Sequence, residues 1–263
     1  MTTVPSTDQV ISTVTTTLSS IFSSAEKHFA QHPIHLLYTG AAVVALPLAL
    51  RDYCTYRTLG KGGFTFSIVG WIVSLVLKPF GRETTSTGIY HRDDYKKAWL
   101  QAEDLLPRGR CRPKTGKHVI PHRQIEQFPD KKIQELLVKE FRTIAQSNPD
   151  LVMIGRSPHE NFGDALLVHP KVRSPHEVAD ASWREIGHIH TNKDYSLHVT
   201  LAPQDCRLVI ERGWGERHPM SGVIKLPKEY LMIYSPLTED EVRLVGLILR
   251  ASVGYMTGSR NVH

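Results

Sequence analysis

Tyr195-Ser-Leu-His-Val-Thr-Leu-Ala202 sets Tyr195, Leu197, Val199 and Leu201 on one face and Ser196, His198, Thr200 and Ala202 on the other. A period of two residues is that of a β-strand, so this stretch predicts a strand with one apolar face and one small or polar face. Toward the C-terminus, a helix over 204–212 is expected to stop at Gly213, and a strand over 230–235 leads into a last helix. That helix opens with the T-x-x-E capping box of Thr238 and Glu241, and Val242, Val245, Leu249 and Val253 supply its buried stripe. Toward the N-terminus, a helix is expected from Pro175 through Trp183 and Ile186 towards His188, with short strands over 151–154 and 165–168 before it. Further back, Ile133, Leu136, Leu137, Phe141 and Ile144 recur at helical spacing until Asn148-Pro149. The pattern predicts an α+β fold, a single compact mixed domain over 84–258.

Three segments precede it. Residues 1–33 are expected to form a flexible tail, since the first 24 hold thirteen Ser and Thr but no Lys or Arg. They lack both the basic n-region of a cleavable signal and the arginines of a mitochondrial presequence. Residues 34–50 carry no charge. At about 1.5 Å per residue they reach roughly 25 Å, the short end of a bilayer crossing, and are read as an N-terminal transmembrane helix in preference to a core helix. Residues 51–83 form a basic linker with a second apolar run, Phe64–Leu77, too short to span and so expected to lie at the interface. Arg51, Arg57, Lys61, Lys78 and Arg82 follow the anchor, whereas only Lys27 precedes it. The positive-inside rule then predicts a single-pass protein of the endoplasmic reticulum membrane with its folded part in the cytosol. The basic run Arg108–Lys117 is either a solvated loop or a contact for anionic lipid headgroups.

Composition narrows the classes. With 263 residues, 41% apolar and 22% charged, the chain is neither disordered nor polytopic. A formal charge of +6 allows an anionic membrane as partner and requires no nucleic acid. Cys54, Cys111 and Cys206 make no C-x-x-C pair, which excludes a disulfide framework and a thiolate zinc site. No P-loop, G-x-G-x-x-G, G-x-S-x-G or H-E-x-x-H motif is present.

Polar chemistry concentrates in Glu185, His188, His190, Asp194 and His198, then in Gly213-Trp-Gly-Glu-Arg-His-Pro219. Imidazoles exchange protons near neutral pH and bind metals when neutral. Three histidines with a carboxylate would suffice for zinc or iron, yet the spacing matches no standard metal motif, and acid–base catalysis or a structural role stay open. Glu185 either orients a histidine or sits exposed on a helix. Trp214 either caps a pocket or plugs the core, Arg217 holds an anionic substrate group or a surface ion pair, and Asp205 sits where a first-turn helix-dipole partner would.

The runs Arg184-Glu-Ile-Gly-His-Ile-His190, Leu197-His-Val-Thr-Leu-Ala-Pro-Gln-Asp205, Gly213–Pro219 and Ala251-Ser-Val-Gly-Tyr-Met-Thr257 closely resemble the fungal luciferase family, the 3-hydroxyhispidin luciferases and their luciferase-like relatives. Weaker likeness reaches upstream through Gly88-Ile-Tyr90 and His118–Gln124. The resemblance implies a membrane-anchored oxygenase without organic cofactor, in which molecular oxygen adds to a 3-hydroxy-2-pyrone and a peroxide intermediate loses carbon dioxide. A non-luminescent tailoring enzyme of secondary metabolism, or a non-catalytic membrane-bound ligand-binding protein, is the alternative. His188, His190, His198, His218 and Glu185 are the expected catalytic residues, with His190 and His198 favoured as the base, and Trp214, Arg217, Asp194 and Asp205 are the expected contacts to an aromatic or pyrone-like substrate. No metal is expected.

Overall fold

The computed structural model describes residues 7–223 and 226–263. Contacts divide the chain into two units, 1–55 and 56–263.

In the first unit, α1 (Thr7–Gln31) stands where composition predicts a flexible tail. The Thr13 and Thr17 hydroxyls donate to carbonyls four residues back, at 2.8 Å each, so hydroxyl side chains that would favour turns are satisfied within the helix. Val14, Leu18, Ile21 and Phe22 fall on one side of it and are exposed. α2 (Pro33–Thr58) extends well past the expected 34–50, with Pro47 inside it. Its 26 residues make it long and apolar enough to cross a membrane.

The second unit begins within the last turn of α2, where Tyr56 is buried. The apolar run at 64–77 is helical only over α3 (Ile68–Leu77), with Ser67 at its N-cap. Gly70 and Ser74 face inward, while Ile68, Val69, Ile72, Val76 and, in the following turn, Phe80 are exposed. After α4 (Gly88–His91) and α5 (Lys131–Ser147) comes an antiparallel six-stranded sheet: β1 (Val152–Arg156), β2 (Asp164–Val168), β3 (Glu185–Ile189), β4 (Leu197–Thr200), β6 (Tyr230–Ile233) and β5 (Gly215–Arg217), in that spatial order. α8 (Glu239–Thr257) packs against it, and its Ser252 Oγ lies 3.0 and 2.8 Å from the Ile186 and Thr200 carbonyls. The α8 stripe Val242, Val245, Leu249 and Val253 is buried as its spacing predicts. Thr238 accepts from the Glu241 amide, but the Glu241 carboxylate turns to the Leu237 amide.

Two further expectations change. The helix expected through Trp183 towards His188 is only α6 (Glu177–Ala181). Trp183 and Arg184 adopt φ of 52° and 62°, a left-handed pair that ends the helix and turns the chain into β3. The basic run at 108–117 is tied inward: Arg108 is buried beside the Trp214 and Tyr234 rings, Arg112 donates to the Ile210 carbonyl at 2.5 Å and Arg110 pairs with Glu241 at 3.0 Å. Arg108 is thus withdrawn from solvent and from headgroups, while Arg110, Lys114 and Lys117 remain exposed.

Asp205, in the first turn of α7 (Pro203–Glu211), accepts from the Trp99 and Leu100 amides at 2.9 and 3.1 Å. Burial pushes its carboxyl up to about 6 despite those amides. A carboxyl that binds its proton more tightly when folded than when unfolded makes its contribution to stability decline as pH rises from about 4 to about 6. Melting temperatures of wild type and Asp205→Asn at pH 5 and pH 7 check this: the advantage of the wild type is expected to be larger at pH 5.

Candidate active site

Strand register builds the site. His188 is paired with His198, His198 with Met232, and Met232 with Glu216, a row across four strands on one face of the sheet. His190 follows just beyond β3 and His218 just beyond β5. The loop before α5 adds His122 and Arg123, pinned because the Gly116 amide donates to the Arg123 carbonyl at 2.8 Å and the Gln124 amide to Asp194 at 2.7 Å. Five buried imidazoles result: the His198 ring centre lies 4.8–5.6 Å from those of His122, His188, His190 and His218. Three of them, His122, His198 and His218, line a cavity of about 100 Å³ together with Gly62, Gly63, Ile120, Pro121, His159, Glu160, Leu226 and Tyr230.

Behind the cavity runs a chain of buried charges. Arg123 Nη2 donates to both Glu160 oxygens at 2.9 and 2.8 Å, Glu160 Oε1 lies 3.5 Å from His188 Nε2, and His188 Nδ1 is hydrogen-bonded to Glu185. Burial alone would favour the neutral form of both acids, yet Arg123 and His188 hold Glu160 well below the usual carboxylate range, and His188 lowers Glu185. Burial also opposes the charge on His188, but Glu185 and Glu160 outweigh it and lift its pKa to about 9. His188 is thus an imidazolium at neutral pH, with no lone pair to offer a substrate proton.

The other rings are told apart by their partners, since carbonyls and carboxylates only accept. His198 Nδ1 donates to the Leu231 carbonyl at 3.2 Å, leaving a lone pair on Nε2. Ser196 gives its hydrogen to Asp194 at 2.7 Å and therefore accepts from His190 Nδ1 at 2.8 Å; His190 Nε2 accepts from Arg123 Nη1 at 2.9 Å. His218 Nδ1 accepts from the Met220 amide at 3.0 Å, which puts its hydrogen on Nε2. His122 Nε2 donates to Glu216 at 2.8 Å, and its Nδ1 is buried with no hydrogen-bond partner. Burial holds His190, His198 and His218 well below the ordinary imidazole pKa, so all three are neutral.

Among the described residues, two histidine groups are close enough to hold a metal, His122 with His198 and His218, and His188 with His190 and His198. Each contains a ring whose lone pair is already committed: His218 to the Met220 amide in the first, His190 to Arg123 in the second.

A profile described as a luciferase domain matches residues 183–252, which contain β3, β4 and the rings that they carry. The chain is 36% identical to a luciferase of Armillaria mellea over 228 residues, 82% of this chain and 85% of the relative. The chain belongs to the fungal luciferase family. A luciferase of Neonothopanus nambi is 34% identical over 228 residues, 82% of this chain and 84% of the relative. No solved structure matches.

Among the expected site residues, His188, His190, His198 and His218 converge, Glu185 and Asp194 sit behind them, and three others lie elsewhere. Arg217 is one step from Glu216 on β5 and so faces the opposite side of the sheet, where it donates to the Ser86 hydroxyl at 3.1 Å and pairs with Glu83 at 3.2 Å. Trp214 is a core residue, its indole N–H donating to the Leu106 carbonyl at 2.7 Å. Asp205 is occupied by backbone amides. Sequence reasoning missed His122, Arg123, His159, Glu160 and Glu216 as parts of the site. The one signal for His122 and Arg123 was their place in the His118–Gln124 block of weaker likeness; for Glu160 there was none.

Proposed function

We propose that the chain is an oxygenase of enolic substrates: molecular oxygen adds to a 3-hydroxy-2-pyrone or a related polyketide-type compound, and the product peroxide loses carbon dioxide. The carrying observation is a cavity lined by His122, His198 and His218, rings that keep an uncommitted lone pair on the first two and an N–H on the third. An enol that loses its proton becomes an electron-rich enolate able to give an electron to oxygen, and imidazoles suit that proton transfer near neutral pH. Incubation with 3-hydroxyhispidin while oxygen uptake, carbon dioxide and photons are recorded tests this. Uptake with light supports luciferase activity, uptake without light a tailoring enzyme, and no uptake a ligand-binding role.

No metal takes part in this reading, because a metal would have to displace a hydrogen bond on one ring of either histidine group. Elemental analysis after dialysis is expected to find no stoichiometric zinc or iron; one ion per chain, with activity lost to chelator, would reverse the assignment.

α2 spans the endoplasmic reticulum membrane in this reading, with the sheet domain in the cytosol, and the exposed apolar side of α3 rests on the bilayer. An anchored enzyme suits a poorly soluble aromatic substrate. Full-length protein is expected to pellet with membranes in a detergent-free lysate, and deletion of residues 1–50 to release much of it, with residual binding through Ile68, Val69, Ile72 and Val76. Full-length protein left in the supernatant would contradict this.

A further inference from the structure

We propose that His122 accepts the substrate's enol proton, that Glu216 is the positioning residue that holds it, and that the His218 N–H faces the resulting oxyanion; this rests on the enol-oxygenase reading above.

The five rings differ in what they can do. His188 is already protonated, the His190 lone pair is taken by Arg123, and His218 offers the cavity a hydrogen. His198 has a free lone pair, but its far nitrogen is backed by the neutral Leu231 carbonyl, which cannot compensate a positive ring. His122 combines the two requirements: a buried, partnerless Nδ1 on a ring that lines the cavity, and a carboxylate on Nε2 at 2.8 Å. Glu216 is itself fixed, accepting from the Tyr234 hydroxyl at 2.8 Å. A carboxylate behind an imidazole sets its tautomer and stabilises the imidazolium that forms when the near nitrogen takes a proton. In the step proposed, the enol O–H bond breaks and its electron pair stays on oxygen. The proton bonds to Nδ1, the imidazolium is compensated by Glu216, and the oxyanion meets His218 Nε2–H from a ring whose centre is 5.1 Å from that of His122. No oxidant enters until the enolate exists.

The test uses full-length protein in detergent. Long-range ¹⁵N–¹H spectra of histidine-labelled, ligand-free protein at pH 7 are expected to show His122 with hydrogen on Nε2 alone; hydrogen on Nδ1 would overturn the assignment without any substrate being needed. Under nitrogen, 3-hydroxyhispidin is expected to take its enolate absorption when bound to wild type. His122→Gln should lose this and lower turnover by about 100-fold or more. Added imidazole should partly restore turnover to His122→Ala, which a packing defect would not allow. Glu216→Gln should lower kcat with little change in KM, because the imidazolium that forms during proton transfer loses its compensating charge. Ionisation and turnover unchanged in His122→Gln would overturn the proposal. If wild type neither ionises nor consumes the pyrone, the enol-oxygenase reading fails, and the ligand-free spectra alone decide the His122–Glu216 pair.

Discussion

Replacing Arg123 by alanine is expected to destabilise the sheet domain by about 3–5 kcal/mol, the usual cost of stranding a buried charge. At about 2–4 °C per kcal/mol for a domain of this size, the melting temperature falls by roughly 6–20 °C. The guanidinium holds both Glu160 oxygens, the Lys61 and His122 carbonyls at 3.0 Å each, and the His190 lone pair at 2.9 Å. Without it the buried Glu160 keeps only His188 as a nearby cation, and the loop that carries His122 loses one of its ties to the wall. Arg123→Lys restores charge without the planar fork and is expected to recover only part of the loss. The double variant Arg123→Ala, Glu160→Gln is expected to melt above the sum of the two single effects, since the uncompensated charge is gone. Thermal melts of wild type, the three single variants and the double variant decide it: a melting temperature in Arg123→Ala within about 2 °C of wild type would show that the network holds nothing together.

Gly187→Ala is expected to be more severe, leaving no soluble folded domain. A Cβ there would stand 2.5 Å from the His198 carbonyl oxygen and 2.9 Å from Val199 Cγ1. The first obstacle is backbone of the paired strand, so relief requires β3 and β4 to part, which separates His188 from His198. An effect above about 4 kcal/mol belongs to such failures of core packing. Gly109→Ala, where an added Cβ meets nothing within 4 Å, is the control and is expected to melt within a degree or two of wild type. Comparable yields and melts for both variants would contradict the close strand approach.

What could be read from sequence follows from periodicity. The 195–202 alternation, the α5 stripe and the capped α8 each repeat often enough to declare their type. β5 has three residues, too few for a pattern. The start of β3 was hidden because Trp183 and Arg184 make the reversal without glycine or proline, the residues that usually announce one. α1 was missed because its serines and threonines bond within the helix, which composition does not foresee. In the site, closely spaced histidines on β3 and β4 drew notice, whereas His122 and Glu160 come from loops far away in sequence. Arg217 shows the converse limit: it shares a motif with His218, but one step of strand parity sends it to the other side of the sheet.

The alternation of Glu185, His188, Glu160 and Arg123 has an electrical consequence. Two negative and two positive groups in succession have no monopole, and the potential of such an array fades within a few ångströms. That array by itself therefore exerts no long-range pull on anions or cations. On the enol-oxygenase reading proposed above, a weak organic acid enters as its uncharged conjugate acid, the species that also partitions into lipid, and becomes an anion only after water has been left behind. Raising the pH above the ligand's own solution pKa is then expected to starve the protein of the form it takes in.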